Sequence, residues 1–544
     1  MARSAVKVPL DEAAEVVVIG TGAGGGNVIR ELCLGGVRVV ALEAGPRLDA
    51  DKDFEEDEIA MFNKLTWLDP VGAAGPDVSG SVAWICKTVG GTTTHWAGCA
   101  LRMQPHEFKA KTTYGDIEGA DLVDWPIDYE TLLPYYEKAE RLLGVAGQVM
   151  PPAPGNTNYL VLKRGAEALG LDAHPAHIAI NTQEYQGRGM CTQRGYCFQG
   201  CRNEAKWSSL YEAIPKAEET GWLDLRPNCQ ALSITTDSTG RATGVVYADP
   251  DGRVVEQKAQ YVVVAGNSIQ TPRLLLNSAT SRFPDGLANG SGAVGRYYMQ
   301  HVTASSYAKF PLPVHAYKGI TMMGAVDAFS DNQPAERGFV GGFQLETIML
   351  GPTNTAIFVS PGPLTSKRVS RSIWGEPLVD LMESYTHLAG LWIVGEDMPQ
   401  ADNRVTVDPD RKDQYGMPIP VVTVTDHPND TAMREFAWQK AREIYQAAGA
   451  ITVWDTPPYP ATHNLGTCRM GTDPATSVVN QFGQAHEVPN LFIADGSVFP
   501  TSGSENPTLT ISALAIRQAE YIMSVMAEEA EAESEMMTAS GGRS

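Results

Sequence analysis

Runs of aliphatic residues that end in glycine occur at three distant places in the chain. They span residues 16–19, 261–264 and 490–494. Continuous apolar runs of this length are typical of strands buried on both faces of a parallel sheet. A single sheet built from all three predicts a discontinuous α/β domain, with other segments inserted between its strands.

Around the first run the pattern reads as strand, helix and strand. A glycine turn follows Ile19, Asn27 to Gly35 fits a helix that ends at glycine, and Val37 to Leu42 forms a second apolar run that closes at Glu43. Further helices are predicted at 129–143 and 430–448.

The segment 301–450 has a different pattern, with shorter strand-like stretches. These stretches lie at 307–310, 339–346, 355–359, 391–394 and 404–407. They predict a substrate domain with a mostly antiparallel sheet packed by helices. Residues 527–544 are acidic, then rich in Gly and Ser, and predict a frayed tail.

The first glycine turn contains Gly20, Gly22 and Gly25 in the spacing G-x-G-x-x-G. The first glycine permits a tight turn, the second lets the backbone approach a pyrophosphate, and the third lets helix and strand pack closely. The free N–H groups of the helix would bind the anion. Glu43, at the end of the next strand, is suited to accept from ribose hydroxyls. The pattern predicts a dinucleotide site but does not distinguish FAD from NAD.

Two polar residues near the end of the chain are candidates for work on an alcohol. His463 begins the segment His-Asn-Leu-Gly-Thr, and an imidazole can remove a hydroxyl proton near neutral pH. Asn506 precedes Pro507, which suits an N-cap followed by the first helical position, and a helix is predicted over 508–517. The positive end of that helix would favour a nearby developing negative charge.

Three of the eight cysteines are grouped. Cys191, Cys197 and Cys201 have the spacing C-x5-C-x3-C in a glycine-rich polar segment. The spacing alone does not match a strong iron–sulfur signature. It is compatible with a metal cluster, with a disulfide plus a free thiol, or with zinc and a distant fourth ligand.

Composition removes several classes of function. The formal net charge of -22 disfavours a nucleic-acid partner and docking on anionic lipid. The sequence contains no run of about 18 apolar residues, so we expect no direct membrane insertion. The first fifteen residues lack the apolar core of a signal peptide, so we expect cytoplasmic residence or export bound to a partner that carries a signal.

The chain resembles the glucose–methanol–choline (GMC) family of FAD-dependent oxidoreductases. The resemblance covers most of the chain, including the first glycine turn and the segments around His463 and Asn506. Four further stretches carry it: 89–96, 124–140, 265–275 and 495–497. It implies FAD as the cofactor and a Rossmann-like FAD domain with a separate substrate domain, an architecture like that of p-hydroxybenzoate hydroxylase.

The resemblance also assigns domains and residues. It implies an FAD-binding domain at 12–300 with an iron–sulfur loop at 187–202, a substrate domain at 301–450, and a returning segment at 451–526. His463 would be the general base and Asn506 would hydrogen-bond the reacting oxygen. Besides the glycine turn and Glu43, the implied FAD contacts are Gly90, Gly91, Thr94, His95, Ala231, Asp495, Gly496, Pro507 and Thr508. His95 is a candidate for covalent attachment of FAD.

Within the family, similarity to bacterial FAD-dependent sugar dehydrogenases implies a [3Fe–4S] cluster on Cys191, Cys197 and Cys201. The expected reaction is oxidation of a hydroxyl of a glucose-like sugar or glucoside, with proton removal by His463 and hydride transfer to flavin N5. The cluster implies a cytochrome c or quinone-linked acceptor, and similar complexes contain a small subunit for export to the periplasm. The alternatives are a sugar or alcohol oxidase that uses oxygen, a gluconate or polyol dehydrogenase, and a flavin-containing lyase.

Overall fold

We describe a computed structural model of the chain for residues 7–75, 83–360, 373–456, 458 and 461–541. The strands, in chain order, are β1 Ala14–Ile19, β2 Val39–Leu42, β3 Gly72–Ala74, β4 His174–Pro175, β5 Leu223–Arg226, β6 Gln230–Thr236, β7 Ala242–Ala248, β8 Val254–Val264, β9 Val302–Lys309, β10 Gly324–Val326, β11 Phe343–Thr347, β12 Leu388–Gly395, β13 Arg404–Lys412, β14 Pro418–Thr423, β15 Thr452–Thr456 and β16 Leu491–Ile493.

The α-helices are α1 Ala23–Leu34, α2 Ala50–Asp53, α3 Glu58–Lys64, α4 Ala110–Tyr114, α5 Tyr129–Leu143, α6 Thr157–Ala168, α7 Ala213–Thr220, α8 Asn267–Asn277, α9 Pro334–Arg337, α10 Pro352–Val359, α11 Glu376–Glu383, α12 Pro428–Ala447 and α13 Thr508–Gly541. Among these described helices, none combines the length and the apolar character that crossing a membrane requires.

The first sheet joins the three glycine-terminated runs. Its order is β5-β2-β1-β8-β7-β6, and β16 pairs with β8. β8 pairs in parallel with β1 and with β16, so Ile19, Val264 and Ile493 lie in one row across the sheet. The carboxyl ends of these strands therefore meet at one edge, and the predicted discontinuous domain is confirmed.

The second sheet has the order β15-β9-β12-β11-β10-β4, and every pair in it is antiparallel. Helices α12 and α6 pack against it. Apolar side chains of this layer form one core that includes Tyr307, Phe343 and Trp438. The predicted antiparallel sheet packed by helices is confirmed, although β4 and β15 lie outside the segment 301–450. A third, small sheet has the order β13-β14-β3.

The structure differs from the sequence prediction at two places. Residues 355–359 form the end of helix α10 instead of a strand, because Gly351 and Pro352 start a helix that carries the β-branched residues with it. The prediction of a frayed tail from residue 527 is wrong as far as Gly541. Helix α13 continues through this stretch, which is rich in the helix-forming residues Ala and Glu. Glu529 fixes the helix to the first sheet by accepting hydrogen bonds from Tyr261 and Arg241.

Asp495 connects separate parts of the chain at the carboxyl edge of the first sheet. Its Oδ2 accepts hydrogen bonds from the Asn267 backbone N–H at 2.9 Å and from Thr271 Oγ1 at 2.6 Å. Its Oδ1 accepts one from the Ser497 backbone N–H at 2.8 Å. One buried carboxylate thus links the strand β16 exit to helix α8.

We expect Asp495→Asn to destabilise this connection. The amide can accept at only one of the two oxygen positions, so at least one buried N–H or O–H group loses its acceptor, which costs about 1–3 kcal/mol. Thermal unfolding of the FAD-free protein measures the effect. Asp473→Asn, at an exposed turn where Oδ1 accepts only from Ala475 N–H, is the control. Equal melting temperatures for the two variants would contradict the role of Asp495.

Candidate active site

The glycine turn after β1 leads into a long cavity at the carboxyl edge of the first sheet. Helix α1 begins at Gly22 without a side-chain cap, so its first N–H groups are left for a ligand. The backbone here is too close to its neighbours for side chains: a Cβ on Gly24 would lie 1.6 Å from the Ala494 carbonyl oxygen, and one on Gly25 would lie 2.1 Å from the Gly20 carbonyl oxygen. These contacts fit a pyrophosphate cradle.

Glu43 lies in the same cavity, where β2 ends. Its Oε2 accepts from both the backbone N–H and the hydroxyl of Thr21, and its Oε1 accepts from the Gly45 N–H. Burial raises the pKa of Glu43 to about 6, while these hydrogen bonds act in the opposite direction. The carboxylate is therefore rigidly placed to accept from a ribose hydroxyl.

The cavity has about 1260 Å³ of empty space including its open mouth, and it is lined by most of the predicted cofactor residues. The predicted residues in its wall are Gly20, Gly22, Glu43, Gly91, Ala231, His463, Asp495, Gly496, Pro507 and Thr508. The other predicted residues, Gly25, Gly90, Thr94 and His95, are outside this wall. An elongated cavity that starts at a helix N-terminus and ends at the start of another helix fits an FAD molecule.

A second cavity joins the first. Thr92, Trp96, Thr462, His463 and Thr508 line both cavities, so they mark the junction. Most of the remaining wall is aromatic or aliphatic: Trp84, Phe198, Met322, Ile348, Leu350, Phe358 and Trp392. Among the described lining residues, none carries a formal charge at neutral pH. We take this cavity as the candidate substrate pocket.

His463 stands at the junction and contacts a second histidine. Its Nδ1 lies 2.8 Å from Nδ1 of His301, and His301 Nε2 lies 3.3 Å from the carbonyl oxygen of Ser502. A carbonyl only accepts, so His301 carries its proton on Nε2 and accepts on Nδ1. His463 must then carry its proton on Nδ1, and its Nε2 holds a free lone pair. The tautomers follow from these hydrogen-bond partners.

Burial sets the charge of this pair. It lowers the pKa of His301 to about 4. Burial, with a smaller contribution from His301, holds the pKa of His463 well below its usual range. Both rings are therefore neutral at neutral pH, and His463 Nε2 is ready to take a proton.

Asn506 lines the substrate pocket beside His463 and is held from behind by Glu346. Its Nδ2 donates to Glu346 Oε2 at 3.3 Å, and its Oδ1 has no partner among the described residues. Burial raises the pKa of Glu346 to about 7. The carboxamide thus presents one end to the pocket while a buried carboxyl group fixes the other.

The chain before Asn506 is fixed by a second buried carboxylate. Glu107 accepts from the Ser504 backbone N–H at 2.7 Å and from the Gln104 backbone N–H at 2.6 Å. Glu505 Oε1 accepts from the side chains of Gln104 and Gln344. These contacts tie the segment to the β11 strand, which also carries Glu346.

His95 lies in the wall of the substrate pocket, with its ring stacked on Trp84 at 4.8 Å between centroids. Its Nε2 is buried and has no partner among the described residues. Burial and the charge of Lys206 lower the pKa of His95 to about 3, so the ring is neutral.

The three grouped cysteines surround a third cavity. Cys191, Cys197 and Cys201 line it, with about 520 Å³ of empty space. Backbone N–H groups donate to two of the sulfurs: Gln193 to Cys191 and Lys206 to Cys201, both at 3.4 Å. All three cysteines are free thiols. Burial raises the pKa of Cys191 to about 12, with contributions from Cys197 and Cys201.

Several residues that line or support these cavities were not predicted from the sequence. His301 and Glu346 lie far along the chain from His463 and Asn506, and Lys206 lies 112 residues from Thr94. No local motif marks these three residues. Trp84 and Trp392, which line the substrate pocket, are likewise not marked by any local motif. Only their folded neighbours give these residues a role.

Comparison with known proteins accounts for this arrangement. Family models described as GMC oxidoreductase match residues 31–303 and 399–515. The chain is 34% identical to the 2-methyl-1,2-propanediol dehydrogenase of Mycolicibacterium austroafricanum, over 93% of this chain and 95% of that protein. It is 30% identical to the fructose dehydrogenase large subunit of Gluconobacter japonicus, over 94% of this chain and 98% of that protein.

Among solved structures, the fold resembles the pyridoxine 4-oxidase of Mesorbium loti, with a TM-score of 0.65 and 16% identity over 93% of this chain and 99% of that chain. This likeness supports the fold. The family models cover more than half of the chain, and both relatives align over nearly their whole length. The chain therefore belongs to the GMC oxidoreductase family and is an FAD-dependent oxidoreductase that acts on CH–OH donors.

Proposed function

We propose that this protein is a dehydrogenase that oxidises a CH–OH group of a neutral substrate and passes the electrons through a [3Fe–4S] cluster to an external acceptor. Oxidation of CH–OH to C=O releases two electrons and two protons. Bound FAD would take up the hydride, which carries both electrons. The observation that carries the proposal is the position of His463 at the junction of the two cavities, with its Nδ1 hydrogen-bonded to His301, which leaves Nε2 as the acceptor.

His463 takes the hydroxyl proton. Its Nδ1–H stays hydrogen-bonded to His301, so the positive charge that forms on the ring is shared with a fixed acceptor. His301 in turn donates to Ser502, which keeps its Nδ1 available. The two rings and the carbonyl form one chain of hydrogen bonds that keeps the His463 proton on Nδ1 and leaves Nε2 as the acceptor.

Asn506 orients the reacting oxygen. With Glu346 ionised, the amide Nδ2 is bound to the carboxylate and Oδ1 faces the pocket. With Glu346 protonated, the carboxyl group can donate to Oδ1, and Nδ2 then faces the pocket as a donor. The second arrangement suits an oxygen that gains negative charge as its proton leaves. A Glu346 pKa of about 7 makes both states accessible near neutral pH.

The pocket wall supports a neutral substrate. A carboxylate such as gluconate would need a cation, and among the described lining residues there is none. The aromatic and aliphatic wall leaves few partners for hydroxyl groups, which favours a short alcohol or diol with an apolar body. The propanediol-oxidising relative agrees with this choice.

A glucose-like sugar or glucoside is the second candidate. Trp84 Nε1, Trp392 Nε1 and His95 Nε2 are buried in the wall without partners among the described residues. Two indole donors and one imidazole nitrogen could bind further hydroxyls of a sugar whose ring packs on the aromatic wall. The fructose-oxidising relative supports this class.

The sulfur spacing supports a cluster over a single zinc ion. Zinc–sulfur distances of about 2.3 Å place tetrahedral sulfurs within about 4 Å of each other. At least one pair of the three cysteine sulfurs is more than 4.8 Å apart. Among the described residues, His106, Glu107 and Glu396 form a group whose ligand atoms all lie within 4.8 Å of one another. Three thiolates around a wider cavity fit a multi-iron centre.

The position of the cysteine loop favours an external acceptor. Cys191 and Cys197 are partly exposed, and the neighbouring Met190 and Tyr196 are 56% and 36% exposed. These apolar side chains could contact a cytochrome c or a quinone-linked protein. A small export subunit, periplasmic residence and covalent attachment of FAD through His95 remain part of the proposal on the basis of the family resemblance.

We expect His463→Ala to retain FAD and lose substrate oxidation. Without the base, the rate of anaerobic flavin bleaching should fall about 10²–10⁴-fold. Stopped-flow absorbance with a panel of short diols, glucose, a glucoside and gluconate measures it and ranks the substrates. His486→Ala is the control, because that ring contacts Ser477 outside the cavities. Bleaching at the wild-type rate would rule out His463 as the base.

We expect His301→Leu to slow bleaching at saturating substrate, because the His463 Nδ1–H then has no acceptor. An unpaired buried donor costs about 1–3 kcal/mol, and a barrier raised by that amount slows the reaction about fivefold to 150-fold. His301→Gln offers an amide oxygen to His463 and an N–H to Ser502, and should restore part of the rate. If Leu and Gln behave alike, the hydrogen-bond chain is not what holds His463.

We expect the wild-type protein to contain about three irons per chain and to show an electron-paramagnetic signal after oxidation. Cys197→Ser should lose both and keep FAD, and should bleach with substrate but reduce an external one-electron acceptor slowly. Cys33→Ser, at a buried thiol in α1, is the control. Wild-type protein without iron, whose reduced flavin reacts rapidly with air, would instead establish the oxidase alternative.

A further inference from the structure

Lys206 is a fully buried lysine whose ammonium group donates to three carbonyl groups. Its residue is 1% exposed. Its Nζ donates to the carbonyl oxygens of Thr94 at 3.0 Å, Trp96 at 2.7 Å and Cys197 at 2.6 Å. Three acceptors satisfy the three N–H bonds of an ammonium group. The hydrogen bonds are complete, but carbonyl groups do not neutralise the charge.

Buried ammonium groups are normally paired with a carboxylate. Among the described residues, no Asp or Glu side chain forms an ion pair with Lys206. The acidic residues that line the cysteine cavity, Glu55 and Glu56, have cations of their own: Lys64 pairs with Glu55 and Arg194 with Glu56. The protein therefore keeps a buried positive charge whose counter-charge must come from another group.

The cysteine cavity is where that counter-charge would lie. Lys206 lines it together with Cys191, Cys197 and Cys201. The Lys206 backbone N–H also donates to the sulfur of Cys201. A disulfide would bring no charge to this cavity. A cluster held by three thiolates is anionic, and its negative charge grows by one when it accepts an electron.

We propose that Lys206 is the buried counter-cation of the iron–sulfur cluster and raises its reduction potential. The proposal rests on the proposed [3Fe–4S] centre. A fixed positive charge stabilises the reduced cluster more than the oxidised one, because the reduced cluster is more negative. The cluster then accepts electrons from reduced flavin more readily.

Lys206 also connects the two redox cavities. Its hydrogen bonds join Cys197, in the cluster loop, to Thr94 and Trp96, which lie in the stretch 89–96 just after Gly90 and Gly91. Trp96 lines both the FAD cavity and the substrate pocket. The same ammonium group that compensates the cluster thus fixes the cluster loop against the wall of the flavin site. Lys206 is a positioning residue, since it is not among the described residues that line the FAD cavity or the substrate pocket.

The test compares Lys206→Met, which removes charge and hydrogen bonds, with Lys206→Gln, which removes the charge and keeps donors for the carbonyl groups. The complete protein with FAD is titrated with reductant, and the cluster signal is followed by electron paramagnetic resonance. Both variants should have a lower cluster potential than the wild type, by at least tenfold in the one-electron equilibrium constant, which is about 59 mV.

Lys52→Met is the matched control, because this lysine is solvent-exposed, donates to Asp49, and neither of the two residues lines the cysteine cavity. Its cluster potential should equal that of the wild type. Loss of iron from Lys206→Met with FAD retained would also support the proposal, since the anionic centre then depends on the cation. Unchanged potentials in both Lys206 variants with the cluster intact would overturn it.

A missing cluster and a missing role of Lys206 give different experimental results. If the wild-type protein binds FAD and bleaches with substrate but contains no iron, the cluster is absent and the proposal about Lys206 falls with it, while the dehydrogenation chemistry of His463 stands. If iron and its signal are present and only the potentials fail to move, the cluster stands and the role of Lys206 is wrong.

Discussion

The parallel pairing of β8 with β1 and β16 is the constraint on which the site depends. It places the exits of three strands, from the beginning, the middle and the end of the chain, in one row. The glycine turn, helix α8 and Asp495 all lie at that edge, and their backbones approach too closely to admit side chains at Gly24 and Gly25. A binding cradle for a long cofactor results from strand register, because the residues that form it have no other reason to meet.

The second sheet contributes the substrate side of the reaction. His301 immediately precedes β9, and Glu346 lies on β11, so one antiparallel sheet places both residues behind the reacting groups. His463 and Asn506 come from segments that return to the first sheet. In the proposed mechanism the site is therefore assembled across two layers: one layer carries His463 and Asn506, and the other supplies the residues that fix their hydrogen bonds. Burial acts on all of these groups by favouring their neutral forms.

Much of the fold could be predicted from sequence, because its signals are local. The strand ahead of Gly20, the helix at 129–143 and the antiparallel character of the second sheet all follow from the spacing of apolar residues and glycines. The strand prediction for residues 355–359 was wrong because Pro352 starts a helix, and the β-branched and aromatic residues that follow continue that helix. The tail was misjudged because its composition does not reveal that Glu529 reaches Tyr261. His301, Glu346 and Lys206 could not be found, since each acquires its meaning from a partner more than a hundred residues away or from a cavity that exists only after folding.

Helix α13 has a mechanical consequence for the whole enzyme. It begins at Thr508, two residues after Asn506, and then packs on α1 and α5. Helix α1 starts at the glycine turn, so α13 connects the helix of that turn to the segment that carries Asn506. The glycine turn and Asn506 are thereby mechanically connected through the packing of α1 on α13. We expect a ligand bound at the N-terminus of α1 to restrict the motion of both helices, and with them the position of the Asn506 carboxamide.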